Sequence, residues 1–226
     1  MMPTMTMTLG EGEPAAGPWQ VVPMARLIRM LRPAKGAPSG RPWVLAIDGR
    51  SGSGKTTLAE RIRGVVAAST VVHTDDIAWS QAMFDWADLL IGGVLEPVHH
   101  GEPVSFRPPA WRKWNRAGAI EVPQGRELLI VEGAGAARRE LMDLVDAVVW
   151  VQSDIVEAER RGIERDGGDQ AAVSFWHLWM AEELPFMARQ RPWTRANVIA
   201  AGTPGVPHDP ATEVVIAEAP SRSSTP

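Results

Sequence analysis

Residues 43–57 constrain this chain more tightly than any other stretch. They read Trp-Val-Leu-Ala-Ile-Asp-Gly-Arg-Ser-Gly-Ser-Gly-Lys-Thr-Thr, an apolar run that breaks into a glycine-rich loop and then into a helix-compatible segment from Thr57 to Ala68. The loop has the spacing G-x-x-x-x-G-K-T, starting at Gly49. Backbone N–H groups that turn inward around a phosphate chain need φ/ψ values that only glycine tolerates at several positions. A helix starting at the loop aims its unpaired N–H groups and the positive end of its dipole at the anion. The pattern predicts a strand–loop–helix unit in which Gly49, Ser51, Gly52, Ser53, Gly54, Lys55, Thr56 and Thr57 hold a nucleotide's phosphates. Lys55, one of three lysines in the chain with Lys35 and Lys113, is placed to reach the β- and γ-phosphates, and the Thr56 hydroxyl to hold Mg²⁺.

Strand-like and helix-like segments alternate from there to residue 202. Candidate strands fall at 43–48, 70–73, 127–131, 146–151 and 196–200, and candidate helices at 55–67, 84–92, 136–142, 154–166 and 171–189. Such alternation predicts an α/β domain, a parallel sheet with helices on both faces. A short helix is expected at 21–31, ending before Pro33. Residues 1–20 and 205–226 are rich in Pro, Gly, Ser, Thr and Ala and are expected as flexible tails around a domain at 21–204, although 214–217 could add an edge strand.

Ligands of such sheets bind beyond the carboxyl ends of the strands. Val71-Val72-His73 runs into Thr74-Asp75-Asp76, and Leu128-Leu129-Ile130-Val131 runs into Glu132-Gly133. An aspartate near a γ-phosphate can accept the proton of an attacking hydroxyl; Asp75 is the first choice for that base and Asp76, beside the acceptor, the second. Glu132 occupies a strand end where a carboxylate, with Thr56, orients the water shell of Mg²⁺. His73 reads as a strand filler. In 154–166, Arg161 and Arg165 share one helix face and suit a lid that closes over phosphates, with Asp166-Gly167-Gly168-Asp169 as its hinge. Arg160 suits either that nucleotide-binding role or ion pairs with Glu157, Glu159 and Glu164. Trp176, Trp179, Glu183 and Phe186 fall at helical spacing and read as a core stripe, whereas Trp79 and Trp111 stand beside loop signals and suit an acceptor pocket.

Composition narrows the partners. A net charge of −4 supplies no basic surface for a nucleic-acid polymer. The absence of cysteine excludes disulfides, thiol catalysis and thiolate-held metals. No apolar run approaches the roughly 20 residues that span a bilayer, and the Met/Thr-rich first ten residues lack the pattern of a secretory signal. These features lead us to expect a cytoplasmic protein that acts on a small molecule, alone or as a homo-oligomer.

The stretches AIDGRSGSGKTT, HTDD, LLIVEG and EAERRGIERD, taken in this order, resemble the uridine kinase group of P-loop nucleoside kinases, and RANVIAAGTP is similar to that family's last strand and the loop beside the adenine. The likeness spans about residues 43–204. It implies a P-loop NTPase fold of three α/β/α layers with a five-stranded parallel sheet of the nucleoside/nucleotide kinase type. It further implies transfer of the γ-phosphoryl of ATP, with Mg²⁺, to a nucleoside hydroxyl, with Asp75 as catalytic aspartate and Arg160, Arg161 and Arg165 as lid arginines. The chain departs from the family around the acceptor. Ala78 and Trp79 stand where an aromatic residue, commonly tyrosine, soon follows the aspartate, and the chain has no tyrosine. In place of the family's base-binding Tyr-Asp-Phe run stands Val104-Ser105-Phe106-Arg107-Pro108-Pro109-Ala110-Trp111, with Arg116 beyond it. Phe106 and Trp111 could stack on a flat group, and Arg107 or Arg116 could bind its carbonyls or a phosphate. A nucleoside kinase, a kinase of a monophosphate, cofactor precursor or secondary metabolite, and an ATP-binding switch module all remain open on this reading.

Overall fold

The computed structural model describes residues 7–34, 36 and 38–219. Lys35, the first six residues of the Met/Thr-rich leader and residues 220–226 of the expected C-terminal tail lie outside them. In chain order the elements begin with β1 (Gln20–Pro23), α1 (Met24–Leu31), β2 (Trp43–Gly49), α2 (Lys55–Val65), β3 (Ser69–His73) and α3 (Thr74–Ala78). Next come α4 (Ala87–Leu90), a π-turn at Ile91–Leu95, α5 (Glu96–His99), β4 (Val104–Phe106), α6 (Pro109–Lys113), β5 (Ile120–Val122) and β6 (Leu128–Glu132). A 3₁₀ segment at Arg139–Leu144 leads to β7 (Ala147–Gln152), α7 (Ile155–Arg165) and α8 (Gln170–Gln190), and a second at Pro192–Arg195 leads to β8 (Val198–Ala201) and β9 (Glu213–Glu218).

The five expected strands are all present and parallel, in the order β3-β6-β2-β7-β8. Every residue of β2, β6 and β7 is buried, which is why they read as unbroken apolar runs rather than alternating ones. Side chains nevertheless alternate between two cores. Leu45, Ile47 and Ile130 pack with α1 and α2 through Leu27, Ile28 and Ile62. Val44, Ala46, Leu129 and Val131 face the other way, toward Trp86, Trp150, Phe186 and Trp193. A leucine as deeply buried as Leu45 contributes enough that its truncation to alanine costs about 2–5 kcal/mol.

The sheet departs from the five-stranded expectation at one edge. β9 pairs antiparallel with β8, and β1 pairs antiparallel with β9, so seven strands form one sheet. The segment at 214–217 is thus an interior strand, not an edge. The helix expected at 21–31 is split: Val21 and Val22 pair with Val215 and Val214, and Pro23, at φ −59°, turns the chain into α1. β-branched neighbours favour the ladder, and proline is accommodated just before a helix. The helix expected at 136–142 is a 3₁₀ turn displaced to Arg139–Leu144, because the preceding loop is anchored from its own backbone, as described below.

Residues 7–19, expected as part of a tail, lie against the domain. Thr8 N donates to Asp154 at 2.8 Å, and Glu13 is buried, accepting from Trp150 Nε1 at 2.7 Å and Gln152 Nε2 at 3.1 Å. Its other oxygen pairs with Arg50 Nε at 3.2 Å.

Candidate active site

The chain crosses from one side of β2 to the other, and the glycine-rich loop leaves the carboxyl end of that strand there. Gly54 has φ +94° and hands over directly to α2, whose first turn, Lys55, Thr56 and Thr57, lines a cavity of about 450 Å³. Gly52 has φ +74° and lies so near α7 that a Cβ there would stand 2.0 Å from the Ala158 carbonyl oxygen. Two glycines therefore serve different ends, one the cap and one the close approach of loop to helix. Lys55 curls back over the loop, its Nζ donating to the Arg50 carbonyl at 2.8 Å.

Two strand ends deliver carboxylates here. Glu132 is buried at the end of β6, and one oxygen accepts from Thr56 Oγ1 at 3.1 Å while the other lies 2.7 Å from His73 Nδ1. Burial pushes the Glu132 pKa up, but the His73 bond, the Lys55 charge and the Thr56 hydroxyl outweigh it, leaving the group below the usual range. His73, bonded to Glu132, is raised in turn; it orients a site carboxylate and is not a filler. Asp75, on the first turn of α3, opens into the same cavity, and enclosure by protein on its other sides raises its pKa despite the nearby Lys55. Thr56 and Glu132, in contact with each other, offer hard oxygen donors of the kind Mg²⁺ accepts. Among the described residues no group of three His, Cys, Asp or Glu side chains clusters as a metal cage.

Asp48 was not anticipated. It is wholly buried in β2, and its carboxyl accepts N–H bonds from Gly49 (2.7 Å), Gly135 (3.0 Å) and Ala137 (2.8 Å). Burial pushes its pKa up to about 6 against these bonds. The contacts tie the strand that carries the phosphate loop to the loop that follows Glu132. An aspartate inside an otherwise apolar run was the available signal.

The arginines divide. Arg161 and Arg165 line the cavity. Arg161 donates to Glu157 at 2.7 Å and to the Gly202 carbonyl at 2.8 Å, and Arg165 pairs with Asp166 at 2.8 Å. Arg160 faces solvent between Glu157 and Glu164, at 2.8 and 2.7 Å, so its expected place at the nucleotide is corrected: the helix turn that aims Arg161 inward aims Arg160 outward. Arg161 also borders a second, smaller cavity of about 200 Å³ whose walls include Gly54, Thr57, Leu58, Arg61, Gly202 and Pro204, where the loop after β8 meets α2.

On the acceptor side the expected residues do not form one pocket. Trp79 lines the main cavity. Asp76 is paired with Arg116 at 2.5 Å, Arg116 stacks 3.8 Å over the Trp111 ring, and Trp111 Nε1 donates to the Asp76 carbonyl at 2.9 Å. Trp111 is thus buried behind the site, and Arg107 donates to the Arg116 carbonyl at 2.7 Å. Phe106 sits elsewhere, against Gly93 in the π-turn, where a Cβ would come within 2.5 Å of its ring. The wall is instead completed by Phe175, Trp176 and Trp179 of α8. The stripe read as core is partly that, since Trp176 is buried, but it also borders the cavity, and Glu183 within it contacts the phosphate loop. A carboxylate inside an aromatic helical stripe was the signal for that contact.

No protein-family model matches the chain, and no curated protein matches it in sequence. Among solved structures the chain is similar to a protein described as a candidate fructose transport system kinase from Silicibacter sp. TM1040, at 21% identity and a TM-score of 0.53, over 74% of this chain and 90% of that one. It is also similar to a protein described as a possible uridine kinase from Bacillus stearothermophilus, at 16% identity and a TM-score of 0.50, over 78% of this chain and 96% of that one. These likenesses show that the chain shares the fold of those two solved structures.

Proposed function

We propose that this protein is an ATP-dependent phosphotransferase that moves the γ-phosphoryl group to a hydroxyl of a small, neutral, flat acceptor, a nucleoside in the first instance. One observation carries the reading: the first turn of α2, the Asp75 carboxyl and Arg161 with Arg165 open into a single cavity. An anion cradle, a proton acceptor and guanidinium groups are the parts that phosphoryl transfer needs. Both structural relatives named above are described as kinases, which supports the same class.

In this reading the acceptor hydroxyl gives its proton to Asp75 as its oxygen bonds to the γ-phosphorus and the bond from that phosphorus to the β–γ bridging oxygen breaks, releasing ADP. A carboxyl whose pKa is raised by desolvation is a stronger base than a free one. Lys55, Arg161 and Arg165 offset the charge on the transferred group. Thr56, with Glu132 acting through water, would hold Mg²⁺, which would supply positive charge beside the phosphates. The smaller cavity beside Gly202 would take the base of the nucleotide. A neutral acceptor is favoured over a monophosphate because Arg116 is already paired with Asp76 and Arg107 is bonded to the Arg116 carbonyl.

The test is ADP release with Mg·ATP against nucleosides, nucleoside monophosphates, simple sugars and no acceptor. Acceptor-dependent release with a nucleoside supports the proposal. Release stimulated only by monophosphates moves the acceptor to the anionic class, and acceptor-independent release marks a hydrolytic switch.

A further inference from the structure

Glu183 is fully buried within α8, and the transfer reaction has no step for it. Its carboxylate accepts the Ser51 N–H at 3.1 and 3.3 Å to its two oxygens and the Ser51 hydroxyl at 2.7 Å. Trp179 Nε1, one helical turn earlier, donates to the same carboxylate at 2.6 Å. Trp179 and Trp176 are cavity wall, and Trp176 is pressed on α7, where a Cβ on Gly162 would stand 2.0 Å from its ring. One buried acid therefore joins the third residue of the phosphate loop to the helix that walls the acceptor side.

We propose that Glu183 is a positioning residue that locks the aromatic wall of α8 to the phosphate loop, so that arrival of the triphosphate is transmitted to the acceptor side of the cavity. This rests on the phosphotransferase reading. The physical basis is competition. A carboxylate and a polyphosphate are drawn to the same cluster of N–H donors at the loop, and both carry negative charge. Filling the loop changes how strongly Ser51 is held by Glu183, and a ligand with different affinities for two arrangements of α8 shifts the balance between them. Glutamine at this position keeps the size but has one acceptor oxygen for three donors, and its NH₂ group would face one of them. The Ser51 and Trp179 donors would then compete, and the coupling would be lost while the loop itself persists.

The experiment is hydrogen exchange read by mass spectrometry over Gln170–Gln190, on the full chain with and without saturating Mg·ATP, with Glu183→Gln beside the wild type. We expect nucleotide to change the wild-type exchange rate of this segment by about threefold or more. Glu183→Gln should bind Mg·ATP within about fivefold of wild type yet show no nucleotide response in α8. With an acceptor present its kcat should fall about tenfold, more than any change in the nucleotide KM. A wild-type response in Glu183→Gln overturns the inference. So does a loss in which nucleotide affinity, kcat and melting temperature fall together, since that is only a structural defect. Should Glu183→Gln not fold, Trp179→Phe carries the test, because it keeps the ring and deletes one donor: a nucleotide response at least about twofold weaker supports the lock, and an unchanged one overturns it. Failure of the wild type to bind Mg·ATP overturns the phosphotransferase reading itself, an outcome distinct from wild-type and variant responding alike.

Discussion

The two ends of the main cavity are built differently. At the end beside the glycine-rich loop, loop backbone, Lys55, Thr56 and Glu132 are drawn from adjacent positions of β2, α2 and β6 and bond to one another. At the aromatic end, Trp79 comes from the turn after α3 and Phe175, Trp176 and Trp179 from α8, while Arg116 pairs with Asp76 and lies over the rings of Trp111 and Trp79. On the proposed function, phosphate binding would use main-chain geometry that any triphosphate demands, so a short contiguous motif can fix it. Acceptor recognition would use side chains gathered across the chain, so its composition can vary without disturbing the glycine-rich loop.

The contrast can be broken experimentally, beginning where the effect is largest. Lys55→Ala should lower acceptor-dependent turnover by about 10³-fold, measured as ADP release, because the cation at the transferred group is lost. Asp75→Asn should lower kcat by about 10²-fold with nucleotide affinity preserved in calorimetry. Because the base must be ionised and its pKa is raised, wild-type activity should fall on acidification at a pH above the ordinary aspartate value of 3.8, and Asp75→Asn should lose that limb of the profile. Glu13→Gln should destabilise the fold by about 3–5 kcal/mol in denaturant titration, because it leaves the Arg50 charge buried without its partner. Arg160→Ala should be smallest, within about 0.5 kcal/mol in stability and about twofold in turnover, whereas Arg161→Ala weakens kcat more than nucleotide affinity. Equal effects of the two substitutions would erase the distinction drawn between the inner and outer faces of α7.

What was legible follows the same division. That Gly49 to Thr57, Asp75 and Glu132 come to one edge of the sheet could be read because each stands at or just after the end of an apolar strand in a parallel order. Phe106 and Trp111 were misplaced because aromatic character says that a residue is buried, not which surface buries it. Arg160 and Arg161 are adjacent in sequence and opposite in space, and only the phase of the helix separates them. β1 was missed, and β9 was read only as a candidate edge strand, because their pairing joins segments almost two hundred residues apart, which local pattern does not encode. Glu13, Asp48 and Glu183 went unread for a related reason: a polar group stabilises an interior only through its partners, and those partners are distant.

Arg50 and Ser51 are held by Glu13 and Glu183, which lie 37 and 132 residues away along the chain. Closing contacts of that span is slow relative to forming a local helix. A nascent polypeptide that has just emerged through Thr57 carries the whole glycine-rich signature and Glu13, yet the loop is fully braced only when Glu183, made much later, arrives.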